Sequence, residues 1–318
     1  MAAEEGLAMG VLIDGRWESE ATYADAQSGE FVRQASRFRQ RVTADGSSGF
    51  KAEPGRYHLY VAHACPWSHR TMIFRTLRKL TGVISMSAVE PLMLENGWSF
   101  REPDPLTGAR HIYEIYQLAE PRYTGRATVP ILWDKRTRTI VNNESSEIIR
   151  MFNSEFNAIT GDNTDYYPPD LAPRIDEINA RIYDTVNNGV YRAGFAIRQR
   201  AYETAVRQLF DSLDWLEDRL IHRHYLLGDR LTEADWRLFP TLVRFDVVYY
   251  GHFKCNLRHI YEYPALWEYT RRLYHMPGIA ETVFLDEYKT HYYGSHRHIN
   301  PSGIVPVGPQ IDFTMPSL

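Results

Sequence analysis

The chain is poor in cysteine: Cys65 and Cys255 are the only two in 318 residues, and 190 positions separate them. A secreted disulfide scaffold is thereby excluded. Long apolar runs are also missing. The longest, such as Val247-Val248-Tyr249-Tyr250, fall far short of a bilayer span. Charge of one sign is not in excess, since 36 Lys and Arg face 40 Asp and Glu for a net −4. No global field therefore draws in nucleic acid or an anionic membrane. Repeats and low-complexity tracts are absent, and Met1–Glu5 is acidic without an apolar core, so no secretory signal is expected. What is present, 44% hydrophobic and 24% charged residues, suits a folded protein of about two domains in a reducing cytoplasm.

Residues 1–56 are polar and weakly periodic. They read as an N-terminal extension wrapped on or trailing from a domain, with one short hairpin near Leu12–Trp17. A strand follows at Tyr57–Val61, then the loop Ala62-His63-Ala64 and a helix opened by Cys65-Pro66, with Pro at a position that suits a helix start. Met72, Ile73, Phe74, Leu77 and Leu80 carry the helical spacing, Gly82 stops it, and Val83–Val89 reads as a second, parallel strand. An insertion occupies about 91–122, with a short helix near His111–Leu118. Thr128–Trp133 and Thr139–Val141 read as a hairpin, and Asn142-Asn143 as the cap of a helix beginning at Glu144. This β-α-β-(insertion)-β-β-α order, over 57–160, is a thioredoxin-like α/β arrangement. Past a polar linker the chain reads as an all-helical domain over 170–290, with helices at Leu171–Val186, Ala201–Ile221, Thr232–Tyr250 and Ala265–Tyr274. Thr232 with Asp235 forms a capping box. The segment 291–318 carries Pro301, Pro306, Pro309 and Pro316 and reads as an irregular C-terminal tail.

Cys65 stands where a strand runs into a helix N-terminus, among amides without intrahelical acceptors, at the positive end of the helix dipole. That position favours thiolate over thiol, and His69 and Arg70 one turn on could add positive charge. A buried structural cysteine is the plainer alternative. The position three further along decides the chemistry: a dithiol oxidoreductase has a second cysteine there, and this chain has Ser68. Unless Cys255 lies close by, a sulfur attacked at Cys65 has to be released by an external thiol, and glutathione is the abundant one in the cytosol. Val129-Pro130 lies where thioredoxin-like folds set a cis-proline beside the sulfur, although an ordinary trans-proline at a strand edge reads the same way. Glu144-Ser145 offers a carboxylate to an ammonium, and amides with a hydroxyl to a carboxylate, or is a plain helix cap.

Six segments taken together are more specific. They are Cys65-Pro66-Trp67-Ser68-His69-Arg70, Pro91–Trp98, Val129–Lys135, Val141–Asn153, Asn188–Phe195 and Leu231–Asp235. In this order, within a resemblance running from about Gly10 to Gly308, the chain resembles the glutathionyl-hydroquinone reductases, the Xi class of glutathione transferases. The resemblance implies reduction of glutathionyl-quinones and glutathionyl-hydroquinones. Cys65 would take the glutathionyl group as a mixed disulfide, and a second glutathione would release it as oxidised glutathione. It implies glutathione contacts at Trp98 and Arg126 (glycyl end), Val129 (cysteinyl backbone) and Glu144 with Ser145 (γ-glutamyl end). Tyr191, Tyr249 and Tyr292 would face the quinone, and a homodimer is implied. Ser68 departs from the alanine usual in the family's Cys-Pro-Trp-Ala.

Other readings remain open. An omega-like thiol transferase or dehydroascorbate reductase would use the same cysteine, and a glutathione-fold binding module without turnover would not need it. Twelve histidines, His291, His296 and His298 among them, lack the spacing of a zinc site, so no metal is expected. The arginine-rich 33–41 run reads as a solvated face rather than a nucleic-acid patch.

Overall fold

The computed structural model describes residues 10–19, 24, 25 and 27–314. Residues 1–9, 20–23 and 26 of the expected extension, and 315–318 of the expected tail, lie outside the described residues. The chain divides into two compact units. A sheet unit holds Arg33–Thr164, Gly294–Gly303 and the described part of Met1–Thr22. A helical unit holds Asp165–Tyr293 and the described parts of Tyr23–Val32 and Ile304–Leu318.

The sheet unit opens with an antiparallel hairpin, β1 (Val11–Ile13) and β2 (Arg16–Glu18), as its Asp14-Gly15 turn demands. Short parallel strands β3 (Val42–Thr43) and β4 (Phe50–Lys51) follow. The main sheet then forms from β5 (Tyr57–Val61), β6 (Ser85–Ala88), β7 (Ile131–Asp134) and β8 (Thr139–Asn142), in the order β6-β5-β7-β8. Strands β5 and β6 are parallel, as a crossover through helix α1 (Pro66–Leu77) requires, and the other two pairings are antiparallel. Every residue of β5 is buried, which is why this strand has no polar alternation. Helix α2 (Ile112–Ala119) lies in the insertion; α3 (Ser145–Ser154), which packs on α1, and the single turn α4 (Asn157–Thr160) close the unit. This is the thioredoxin-like α/β arrangement expected from the sequence, and the second unit is helical as expected.

The helical unit carries α5 (Ala172–Ile182), α6 (Gly189–Gly194), α7 (Gln199–Leu220), α8 (Glu233–Arg244), α9 (Pro264–Tyr274) and α10 (Leu285–Ser295), the last belonging to it as far as Tyr293. The Thr232–Asp235 capping box is present. Asp235, fully buried, accepts from the Thr232 amide at 2.8 Å, the Leu226 amide at 2.9 Å and the Tyr269 hydroxyl at 3.0 Å.

Four readings of the sequence are corrected and one unexpected helix is added. The cap of α3 is Glu144 rather than an asparagine: its carboxylate accepts from the Ser146 amide, while Asn142 Oδ1 takes the Glu144 amide. The helix expected over Leu171–Val186 is α5 followed by a π-helical turn, Tyr183–Asn187. The helix expected over Thr232–Tyr250 is α8 followed by a second one, Phe245–Tyr249. Helix α6 was not expected, because six residues with a glycine at each end have little helical propensity of their own. The tail is not irregular from His291, since α10 runs on to Ser295 and the first helix-breaking proline comes only at Pro301.

Candidate active site

Cys65 is the N-cap of α1. Its backbone is extended (φ −76°, ψ 121°), its amide donates to Ala62 O at 3.0 Å, and its carbonyl accepts the first helical bond from the His69 amide at 3.0 Å. Pro66, next in line, has no amide to leave unsatisfied. No acidic residue stands in the first turn of α1. Cys65 is half-buried, with Sγ 3.5 Å from Val129 O, and the Val129-Pro130 peptide is cis. Ser68 is buried, and its hydroxyl oxygen accepts from the Ala62 amide at 3.3 Å, tying the loop before Cys65 to the first turn after it. The hydroxyl that distinguishes this chain from the alanine pattern thus serves the backbone. Cys65 and Cys255 are both free thiols; Cys255 is fully buried, and that burial pushes its thiol well up.

At the start of α3, Glu144 Oε1 accepts from the Ser146 amide (3.1 Å) and hydroxyl (2.9 Å), and Glu144 Oε2 from the Ser36 hydroxyl (3.2 Å). Ser145, buried, is the first helical residue, where amides lack acceptors within the helix. The start of α3 therefore presents a carboxylate beside the first amides of the helix. Arg126 is half-buried, and its amide donates to Gln34 Oε1 at 3.1 Å. Trp98, mostly buried, follows Gly97, whose φ of +63° turns the loop; its carbonyl accepts from the Ile112 amide at 2.9 Å.

Tyr116 was missed in the sequence. Its buried hydroxyl donates to Thr128 O at 2.9 Å and accepts from Asn143 Nδ2 at 2.9 Å, so it links the residue before Val129 to the residue before Glu144. Burial pushes its phenol up, which keeps it a neutral donor. The available signal was its place on the inward face of the expected helix, four residues after Ile112. The arginine run is also more than a solvated face. Arg37 Nη1 donates to Thr124 O at 2.8 Å, and Arg39 Nε to Glu147 Oε2 at 2.8 Å. Against the upward pull of burial, bonds from Arg39 and Asn142 hold the Glu147 carboxyl below its ordinary range.

Within the helical unit the three expected tyrosines meet. The Tyr292 hydroxyl lies 2.5 Å from that of Tyr191 and 3.1 Å from that of Tyr249. Burial first, and then the two neighbouring phenols, push Tyr292 well up, so it stays protonated. Tyr249 ends the second π-helical turn, and Tyr191 follows the first by four residues. Phe253 stacks on Tyr249 with ring centroids 5.6 Å apart, and a Cβ at Gly194 would fall 2.1 Å from the Phe253 ring, so only glycine fits there. Among the described residues no group of three or more His, Cys, Asp or Glu is arranged to hold a metal, and no helix is long and apolar enough to cross a membrane.

The family model for the glutathione S-transferase N-terminal domain matches residues 64–155, and that for the C-terminal domain residues 199–272. Fold and site together define a glutathione transferase. Glutathionyl-hydroquinone reductase PcpF of Sphingobium chlorophenolicum is 54% identical over 306 residues, covering 95% of this chain and 96% of that protein. Glutathionyl-hydroquinone reductase YqjG of Escherichia coli K-12 is 53% identical, covering 97% and 98%. Its glutathione-bound structure superposes with a TM-score of 0.89 at 50% identity, over 96% of this chain and 98% of that one. A Xi class glutathione transferase from Natrialba magadii superposes with a TM-score of 0.91 at 46% identity, over 98% and 96%. The chain belongs to the glutathionyl-hydroquinone reductases, the Xi class of the glutathione transferases.

Proposed function

We propose that the protein reduces glutathionyl-hydroquinones and glutathionyl-quinones with glutathione as co-substrate, and that Cys65 is the attacking sulfur. The observation that carries this is a cysteine capping a helix start, 3.5 Å from Val129 O, with serine where a dithiol enzyme has its second cysteine. The Cys65 thiolate attacks the glutathionyl sulfur. A sulfur–sulfur bond forms, the sulfur–carbon bond breaks, and its electron pair leaves with the ring carbon, which takes up a proton. A second glutathione then attacks the mixed disulfide, giving oxidised glutathione and returning the Cys65 thiolate. The net change is one glutathionyl-hydroquinone and one glutathione to hydroquinone and oxidised glutathione.

Glu144 with Ser145 holds the γ-glutamyl end, Val129 the cysteinyl backbone, and Trp98 with Arg126 the glycyl end. Tyr191, Tyr249 and Tyr292 hydrogen-bond the hydroquinone oxygen and stabilise the charge that develops as sulfur leaves carbon. The resemblance also supports a homodimer acting in the cytoplasm. Incubation with a glutathionyl-hydroquinone and glutathione, followed by product analysis, tests the reading. Hydroquinone and oxidised glutathione should form in equal amounts, far faster than dehydroascorbate is reduced. Preferential reduction of dehydroascorbate would establish an omega-like enzyme instead.

A further inference from the structure

One stretch outside the thioredoxin-like motifs touches three of the segments assigned to the glutathione site. The Arg33 guanidinium carbon lies 4.6 Å from the Trp67 ring centroid, two residues from Cys65. Gln34 Oε1 accepts the Arg126 amide at 3.1 Å. The Ser36 hydroxyl lies 3.2 Å from Glu144 Oε2 and 3.3 Å from Asn143 O.

The stretch is held in place by four bonds to the exit of β8, two between main chains and two through asparagine side chains. The Phe38 amide donates to Asn143 Oδ1 (3.2 Å), and the Asn143 amide to Phe38 O (3.1 Å). The Gln40 amide donates to Val141 O (3.0 Å), and Asn142 Nδ2 to Gln40 O (3.0 Å). These bonds run antiparallel, with Arg39 opposite Asn142, and fix the register that brings Ser36 to Glu144.

A carboxylate has about four acceptor positions. Ser146 takes two on Oε1 and Ser36 one on Oε2, which fixes the rotation of the group and leaves Oε2 with capacity for one more donor. We propose that Arg33–Ser36 is part of the glutathione site, with Ser36 a positioning residue that aims Glu144 Oε2 at the α-ammonium of the γ-glutamyl group. Gln34 does the same for the loop carrying Arg126. This rests on the reading of the site as one for glutathione.

The test is equilibrium binding of glutathione, and of its analogue lacking the α-ammonium, to the full chain by calorimetry. Wild type is compared with Ser36→Ala, Ser36→Thr, Glu144→Gln and the Ser36→Ala/Glu144→Gln pair. Ser36 is a half-buried surface residue, and the helical content of each variant is checked by circular dichroism. Ser36→Ala should weaken glutathione binding about three- to tenfold, raise KM for glutathione with kcat unchanged, and leave the analogue's affinity as it was. Ser36→Thr, which keeps the hydroxyl, should restore binding, and the pair should lose no more than Glu144→Gln alone. Unchanged glutathione affinity in Ser36→Ala, equal losses for both ligands, or additive losses in the pair would overturn the proposal. A wild type that binds glutathione but leaves glutathionyl-hydroquinone intact would contradict the proposed reaction while leaving the role of Ser36 standing.

Discussion

The Tyr116 hydroxyl serves two loops at once, Thr128 on one side and Asn143 on the other, and each leads directly into a residue proposed to contact glutathione. Removing that oxygen strands a buried amide nitrogen and a carbonyl, at about 1–3 kcal/mol for groups left unsatisfied. Tyr116→Phe is therefore expected to lower unfolding free energy in urea by about 1–3 kcal/mol and to weaken glutathione binding several-fold. The expected signature is a raised KM with little change in kcat, because the loops move rather than the sulfur. Unaltered stability and affinity would show that the two loops are held independently. At this scale the sequence was uneven. The position of Cys65, Glu144 and Ser145 at helix starts was readable, because a helix start is a local property. Tyr116, Gln34 and Ser36 were not. The partners of Ser36 stand 107 and 108 positions away, and no periodicity or spacing announces such a contact.

Among the elements, the parallel pair β5–β6 contains a titrating group that links it to pH. His58, buried on β5, bridges Ser85 Oγ at 2.7 Å and Ser87 Oγ at 3.0 Å on β6. Burial pulls its pKa down to about 4, with nearby Asp104 opposing that and Lys135 and Arg75 adding to it. The unfolded chain protonates near the ordinary histidine value of about 6.5, so between that and about 4 it binds the proton and the folded chain does not. Stability is thus lost as pH falls through this window, by up to about 3 kcal/mol. The urea midpoint should drop from pH 6.5 to pH 4 in wild type and much less in His58→Asn, which can still bond both serines. Equal slopes in the two proteins would remove His58 as the cause. Elements with strong local signals, such as the buried run of β5 and the Thr232–Asp235 box, were legible in the sequence. The two π-helical turns were not, because each is only five residues at the end of a longer helical pattern, yet they adjoin the tyrosines of the helical unit.

For the molecule as a whole, family membership was legible because six motifs recur in one order along nearly the full length, and relatives above 50% identity match that span. The stoichiometry of the sulfur chemistry that the motifs imply can be checked on the thiols themselves. Two free thiols, one half-buried at a helix start and one fully buried with its thiol pushed well up, predict that only the first reacts. The most direct measurement is intact mass spectrometry of the full-length protein mixed with a glutathionyl-hydroquinone in the absence of free glutathione. The account predicts one glutathionyl group per chain, located at Cys65, one hydroquinone released, and complete discharge as oxidised glutathione when glutathione is added. Hydroquinone released without an adduct, an adduct on Cys255, or undiminished turnover in Cys65→Ser would contradict it.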